Sequence, residues 1–294
     1  MKNQTKAYLL AITAVLFWST VATAFKLALE KYDFLQFLFI SSGVALLFIF
    51  FVLLIQNKLK LISKIEKQDW VKLIVGGVLN PFLYYIILFN AYNLLPAQMA
   101  QSLNYTWPII LVIFSLLIFK QKLKFKTIIS FVLGFVGVII ISFKGSFSLS
   151  EDTSVLGVLL ATGSSLVWAA FWIINSMVKT DTVVSLFINF LVAFLLIIPL
   201  MFIFSSFPSF DSIALPAAIY SGLFEMGITF FVWLTALKLT KSTAKISNLI
   251  FFAPFLSLFF INIILKEQIL LSTIIGLFVI ITGVLIDKIS FTKD

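Results

Sequence analysis

The chain has 294 residues, 62% hydrophobic and 11% charged, and no water-soluble domain of this length carries such a composition. Its net charge of +9 comes from lysines with no arginine, and they are spread over short loops and helix ends rather than gathered in a patch, which excludes a nucleic-acid partner. There is no Cys and no His, so disulfides, thiol chemistry, imidazole ligands and Ser-His, Cys-His or His-Glu-x-x-His sites are all removed; no catalytic residue, metal or cofactor is expected.

Apolar runs of about 20 residues follow one another with short loops, as a hydrocarbon core of roughly 30 Å demands. They predict spans at 8–27, 34–55, 71–92, 97–118 and 127–144, then 155–177, 183–204, 214–236, 247–265 and 269–287. The first follows Lys2 and Lys6 and contains Ala22-Thr-Ala24, a small-x-small pattern, but its apolar stretch runs on to Leu29, so it is expected to be retained rather than cleaved. Trp18, Ala22 and Phe25 share one face of it, and Lys26 near its end can snorkel to the interface. Trp70, at a span boundary, reads as an interfacial anchor. The third span carries Asn80, Tyr84 and Leu88 on one face, with Pro81 loosening the backbone. The fourth carries a polar stripe, Gln98, Gln101, Ser102 and Tyr105, at i, i+3, i+4 and i+7, followed by Pro108.

The fifth and tenth spans are almost purely Ile, Val, Leu, Phe and Gly and read as peripheral scaffold. The sixth presents Ser164, Trp168, Phe171, Trp172 and Asn175 on one face. Trp18 and Trp168 lie well inside their spans, so an aromatic belt does not explain them; they line a cavity or fill the bundle core. The eighth span holds Glu225, the one acid near a midplane, on a face with Thr229, Val232 and Trp233. Polar groups in hydrocarbon are costly and usually face the bundle interior or a water-filled cavity. Glu225 is therefore a partner for a substrate ammonium, a proton carrier, or a hydrogen-bonded structural tie between helices. The ninth span offers Ser247, Asn248 and Phe252 before Pro254.

Residues 1–150 and 151–294 say nearly the same thing twice. Trp18 matches Trp168, Gly77 matches Gly222, Asn80 matches Glu225, Pro108 matches Pro254 and Gly137 matches Gly283. A unit with an odd number of spans inserts its second copy upside down. The expected fold is an all-α membrane protein of ten transmembrane helices arranged as two inverted five-helix repeats, the architecture of secondary transporters. With the N-terminus in the cytoplasm, 17 lysines fall on cytoplasmic loops or helix ends and 4 (Lys26, Lys31, Lys144, Lys266) on the other side, so both termini are expected to be cytoplasmic.

Five-plus-five helices, Trp18, the run Glu225-Met-Gly-Ile-Thr-Phe-Phe-Val-Trp-Leu-Thr-Ala-Leu-Lys238, and Ile246-Ser-Asn-Leu-Ile-Phe-Phe-Ala-Pro254 resemble the drug/metabolite transporter superfamily, and within it the EamA-type transporters. Ile264-Leu-Lys-Glu267 resembles a Gly-Glu element of that branch without its Gly, and Gln121 stands where the first half would place Glu. The resemblance implies a carrier in the bacterial inner membrane, often an exporter of amino acids or related metabolites, with a cavity walled by the first four helices of each half; a monomer is the default expectation. The residues expected to meet a small-molecule substrate are Trp18, Asn80, Tyr84, Gln101, Trp168, Trp172, Asn175, Glu225 and Asn248, with Glu225 also the residue for proton coupling. The rival expectation is an uncoupled facilitator or channel for small polar solutes. The lipid bilayer, the substrate and protons complete the expected partners.

Overall fold

The computed structural model describes residues 2–118, 125–142, 154–240, 246 and 249–288, and the described residues are helical or connecting turns, with no strand. The principal helices in chain order are α1 (Lys2–Leu29), α2 (Phe34–Ile55), α3 (Lys67–Leu94), α4 (Ala97–Ile118), α5 (Phe125–Ser142), α6 (Val155–Ser176), α7 (Thr182–Phe204), α8 (Ala214–Ser221, Gly222–Gly227 and Ile228–Leu239 in sequence), α9 (Leu249–Leu265) and α10 (Leu271–Lys288). Of these, α1 to α4 and α6 to α8 are long and apolar enough to cross a membrane, whereas α5, α9 and α10 supply shorter apolar helices. Large apolar side chains such as Phe51, Phe131, Phe202 and Phe278 are exposed, the surface that a bilayer rather than water would cover.

Short loops end in side-chain caps. Asp33 Oδ1 accepts from the backbone N–H of Leu35 and Gln36 at 2.8 and 2.9 Å while Gln36 Oε1 accepts from Asp33 N at 3.1 Å, a reciprocal capping box that starts α2. Asp181 caps the start of α7 by accepting from Val183 N at 3.0 Å, without a reciprocal bond, and it also receives Lys58 Nζ at 2.8 Å. Burial pushes the Asp181 carboxyl up, but the Lys58 ammonium and the capping N–H groups outweigh that and hold it below the usual carboxylate range.

Glycines set the closest helix contacts, and they do so in matched fashion. A Cβ on Gly77 of α3 would lie 2.6 Å from the Asn189 carbonyl oxygen and 2.8 Å from Val192 Cβ, both on α7. A Cβ on Gly222 of α8 would collide with the Ser41 carbonyl oxygen and come within 2.9 Å of Val44 Cβ, both on α2. Any larger residue at either place forces the helices apart. Helices α5 and α10 pack chiefly on each other, where a Cβ on Gly137 would sit 2.7 Å from the Gly276 carbonyl oxygen and a Cβ on Gly276 2.7 Å from that of Gly137.

Three regular helices are interrupted. In α3 a wide turn spans Val78–Leu83, with Asn80 extended at φ −144°, ψ 125° ahead of Pro81. In α8 the matching stretch Gly222–Gly227 is likewise wide and holds Glu225, and Thr229 Oγ1 turns back to donate to the Phe224 carbonyl. In α4 the helix Ala97–Asn104 breaks at Tyr105 and Thr106 and resumes at Trp107.

Candidate functional site

Between α1, α3, α4, α6, α8 and α9 lies a cavity of about 580 Å³, within the roughly 300–1,000 Å³ of small-molecule sites. Helix α1 contributes Trp18, Val21 and Phe25; α3 contributes Tyr84, Leu88 and Tyr92. From α4 come Gln101, Asn104, Tyr105, Trp107, Pro108 and Leu111, from α6 Trp168, Trp172, Ile173 and Ser176, from α8 Glu225 and Trp233, and from α9 Ile250 and Phe251. Five of the six tryptophans stand here, so aromatic rings make most of the wall; the sixth, Trp70, sits at the start of α3.

Trp168 is the hub of that wall. Its ring centroid lies 4.6 Å from Tyr84, 5.9 Å from Trp172, 5.8 Å from Phe230 and 6.5 Å from Trp107. Trp18 packs edge-on against Trp233 at 5.3 Å and, like Trp168, against Phe230, at 6.1 Å. Such offset and edge-to-face contacts hold the large rings in fixed orientations.

Glu225 is the one acidic side chain of the described lining, and it is 6% exposed. Its Oε1 accepts from the Tyr85 hydroxyl at 3.0 Å, tying α8 to α3, and the Trp18 indole N–H is a further neighbour of the carboxylate, while Oε2 itself has no well-aligned hydrogen bond. Two other buried lining atoms are also without partners, Gln101 Oε1 and Trp172 Nε1. Part of the polar wall is paired: the Tyr84 hydroxyl donates to Asn104 Oδ1 at 3.2 Å, and Asn104 Nδ2 donates to Ser164 Oγ at 2.8 Å.

The two ends of the cavity differ. Ser176 is exposed, and the chain beyond it leads to the end where Asp69 accepts from Lys72 at 3.0 Å and from the Lys179 and Thr180 backbone at 3.0 Å each. At the opposite end Phe25 and Tyr92 are both buried, and Lys26 Nζ donates to the Tyr92 carbonyl at 2.5 Å. A clip closes over that end. Glu267 accepts from the N–H of Ala97 at 2.8 Å, capping α4, while Gln98 donates to the Gln268 carbonyl at 2.8 Å and accepts from Leu270 N at 3.0 Å.

Six of the nine sequence-predicted residues therefore meet in one cavity: Trp18, Tyr84, Gln101, Trp168, Trp172 and Glu225. Asn80 and Asn175 do not line it, and Asn248 lies outside the described residues. The extended conformation of Asn80 breaks the helical register, so counting four back from Tyr84 does not return to the same face. On α6 the lining proceeds from Trp168 through Trp172 to Ser176, which rotates Asn175 away. Ala22 is fully buried in packing and Val21 takes the lining position instead. Helices α2 and α7 stand behind the wall and contribute no lining residue, a correction to a cavity walled by four helices from each half. Asn104 was missed, although the same i, i+3, i+4, i+7 count begun at Gln101 instead of Gln98 gives Gln101, Asn104, Tyr105 and Pro108, all of them lining.

A model of the EamA-like transporter family matches residues 5–143 and again 155–286. The chain belongs to the EamA-like transporter family. It is 29% identical over 292 residues to the uncharacterized transporter YvbV of Bacillus subtilis (strain 168), covering 96% of this chain and 91% of that protein. It is 24% identical over 292 residues to a second uncharacterized transporter of the same organism, YoaV, covering 98% of each. A solved crystal structure superposes with a TM-score of 0.67 over 96% of each chain at 21% identity, a likeness of fold alone. As an EamA family member with several apolar helices of spanning length, this is an integral membrane protein of a transporter family.

Proposed function

We propose that the protein is a secondary-active carrier that exports a small amphipathic metabolite across the bacterial inner membrane by alternating access. The substrate class carried from the sequence is amino acids, with the substrate amine at Glu225 and the aromatic wall around its apolar part. The observation that carries this reading is a buried carboxylate in the lining of a cavity that reaches an exposed serine at one end and buried Phe25 and Tyr92 at the other. A channel would need a continuous path; a cavity sealed by Glu267, Gln98 and Lys26 at one end is what a carrier presents in one of its two states.

The matched glycine contacts support two inverted five-helix repeats of ten spans, residues 1–150 and 151–294, exchanging equivalent helices: α3 of the first meets α7 of the second, and α8 of the second meets α2 of the first. The lysine bias supports a cytoplasmic Ser176 end, on which reading the conformation described would be inward-facing with both termini inside. Glu225, free of any cationic partner in the described wall, serves either the substrate amine or a coupling proton, and the two uses compete for one oxygen.

Reconstituted into liposomes, the protein is expected to accumulate amine-bearing solutes against their gradient when a proton gradient is imposed. Glu225→Gln should abolish that accumulation and flatten its pH dependence. Unchanged transport and pH dependence would remove Glu225 from the mechanism, and downhill flux without accumulation would make the protein a facilitator.

A further inference from the structure

The atoms left without partners in the cavity describe what should fill it. Resting on the carrier reading above, we infer that the preferred substrate is an aromatic monoamine without a carboxylate, held by its ammonium group, rather than the zwitterionic amino acid with the same side chain.

Three observations converge. Glu225 Oε2 and Gln101 Oε1 are buried lining acceptors without a well-aligned hydrogen bond, so the site asks for a group with several N–H donors. A primary ammonium has three such donors and a positive charge that answers the carboxylate. Around it stand Trp18, Trp168, Trp172 and Trp233, whose ring faces attract a desolvated cation and whose edges pack against an aromatic body.

The third observation concerns what the wall lacks. An α-carboxylate buried in a mostly apolar cavity needs cations or strong N–H donors, and burying it without them is costly. No lysine is among the described lining residues, and the chain has no arginine. Lys26 lies beyond Phe25 with its ammonium on the Tyr92 carbonyl at 2.5 Å. The Asn104 amide donates to Ser164 and the Tyr84 hydroxyl to Asn104, and the other side-chain donors of the described wall, among them Trp172 Nε1, Gln101 Nε2 and the Tyr92 and Tyr105 hydroxyls, are all neutral. Neutral donors do not replace the charged or backbone donors that carboxylate sites use. A carboxylate would also meet Glu225 in the same low-dielectric space.

The test compares phenethylamine with phenylalanine, and tryptamine with tryptophan, by binding to purified protein and by counterflow in proteoliposomes. Each amine is expected to bind at least about tenfold more tightly than its amino acid, the scale of one charge-assisted hydrogen bond. N-acetylation of phenethylamine, which removes the charge and keeps the ring, should abolish binding, and Glu225→Gln and Gln101→Leu should each weaken the amine with the fold intact by thermal unfolding. Equal or tighter binding of phenylalanine overturns the inference. So does counterflow of phenylalanine or of 3-phenylpropionate without that of phenethylamine, and in that case the carrier reading stands. Binding and counterflow of no compound in the set overturns both.

Discussion

Two glutamines one helical turn apart on α4 have unrelated roles, and only their hydrogen bonds separate them. Gln98 is 3% exposed and spends both ends of its amide on the α9–α10 connection. Gln101 is 6% exposed and lines the cavity, and its Oε1 has no partner. The sequence places both on a polar stripe, and a stripe three or four residues wide covers close to half a turn, so periodicity cannot say which residue touches substrate. Gln101→Leu should therefore cut substrate affinity by about tenfold and leave thermal stability in detergent nearly unchanged. Gln98→Leu should do the reverse, leaving affinity in place and lowering the unfolding temperature. A pair of binding isotherms and melting curves decides it, and an identical response in both variants would merge the two roles. Glu225, which stands out in the sequence because an acid deep in a span is rare, lines the cavity; Asn80, its repeat mate, does not, and its own backbone leaves the helix.

At the scale of elements, helix ends rather than helix faces distinguish the two mouths of the cavity. The start of α4 is held by Glu267, which follows the left-handed Lys266 (φ 58°) at the end of α9. The carboxylate sits where the unsatisfied N–H groups and partial positive charge of the α4 N-terminus are concentrated, so the clip is strong while it is made and has no covalent component. The resemblance singled out Glu267 by its neighbourhood in sequence, and its partner Ala97, which carries no polar side chain, gave no sequence signal. Because the chain contains no Cys, a single cysteine reports without background. With Leu88→Cys placed in the cavity wall, Glu267→Ala should raise labelling by an impermeant maleimide from the Glu267 face by about tenfold, since charged hydrogen bonds to backbone are worth about 1.5–3 kcal/mol. An unaltered labelling rate would mean that the clip does not hold that mouth shut.

For the molecule as a whole, helix positions were the most legible feature. Predicted spans at 34–55 and 97–118 coincide with α2 and with the run Ala97–Ile118. Hydrocarbon thickness imposes length, and short loops impose order, so composition alone carries both. Which helices form the wall was legible only in part. Helices α2 and α7 are markedly more apolar than the other helices of spanning length, which marks them as poor sources of a polar wall, and what keeps them behind it is contact with Gly222 and Gly77 on α8 and α3. That is a long-range fact, set by backbone approach at two glycines. The scaffold role expected of the fifth and tenth spans agrees with the packing of α5 against α10 and with the absence of either from the described cavity wall.

The crossed seating of Gly77 on α7 and Gly222 on α2 also bears on how the chain is born. The surface that α3 needs is not yet translated when α3 leaves the ribosome, and α2 waits for α8 in the same way. Early helices therefore stand in the lipid with their glycine grooves vacant until late helices arrive, a period open to quality-control proteases. Expressed alone, residues 1–150 should turn over rapidly in cells, and co-expression with residues 151–294 should restore both halves to the level of the intact chain, as pulse-chase labelling would read. A first half that persists by itself would show that its grooves are filled from within.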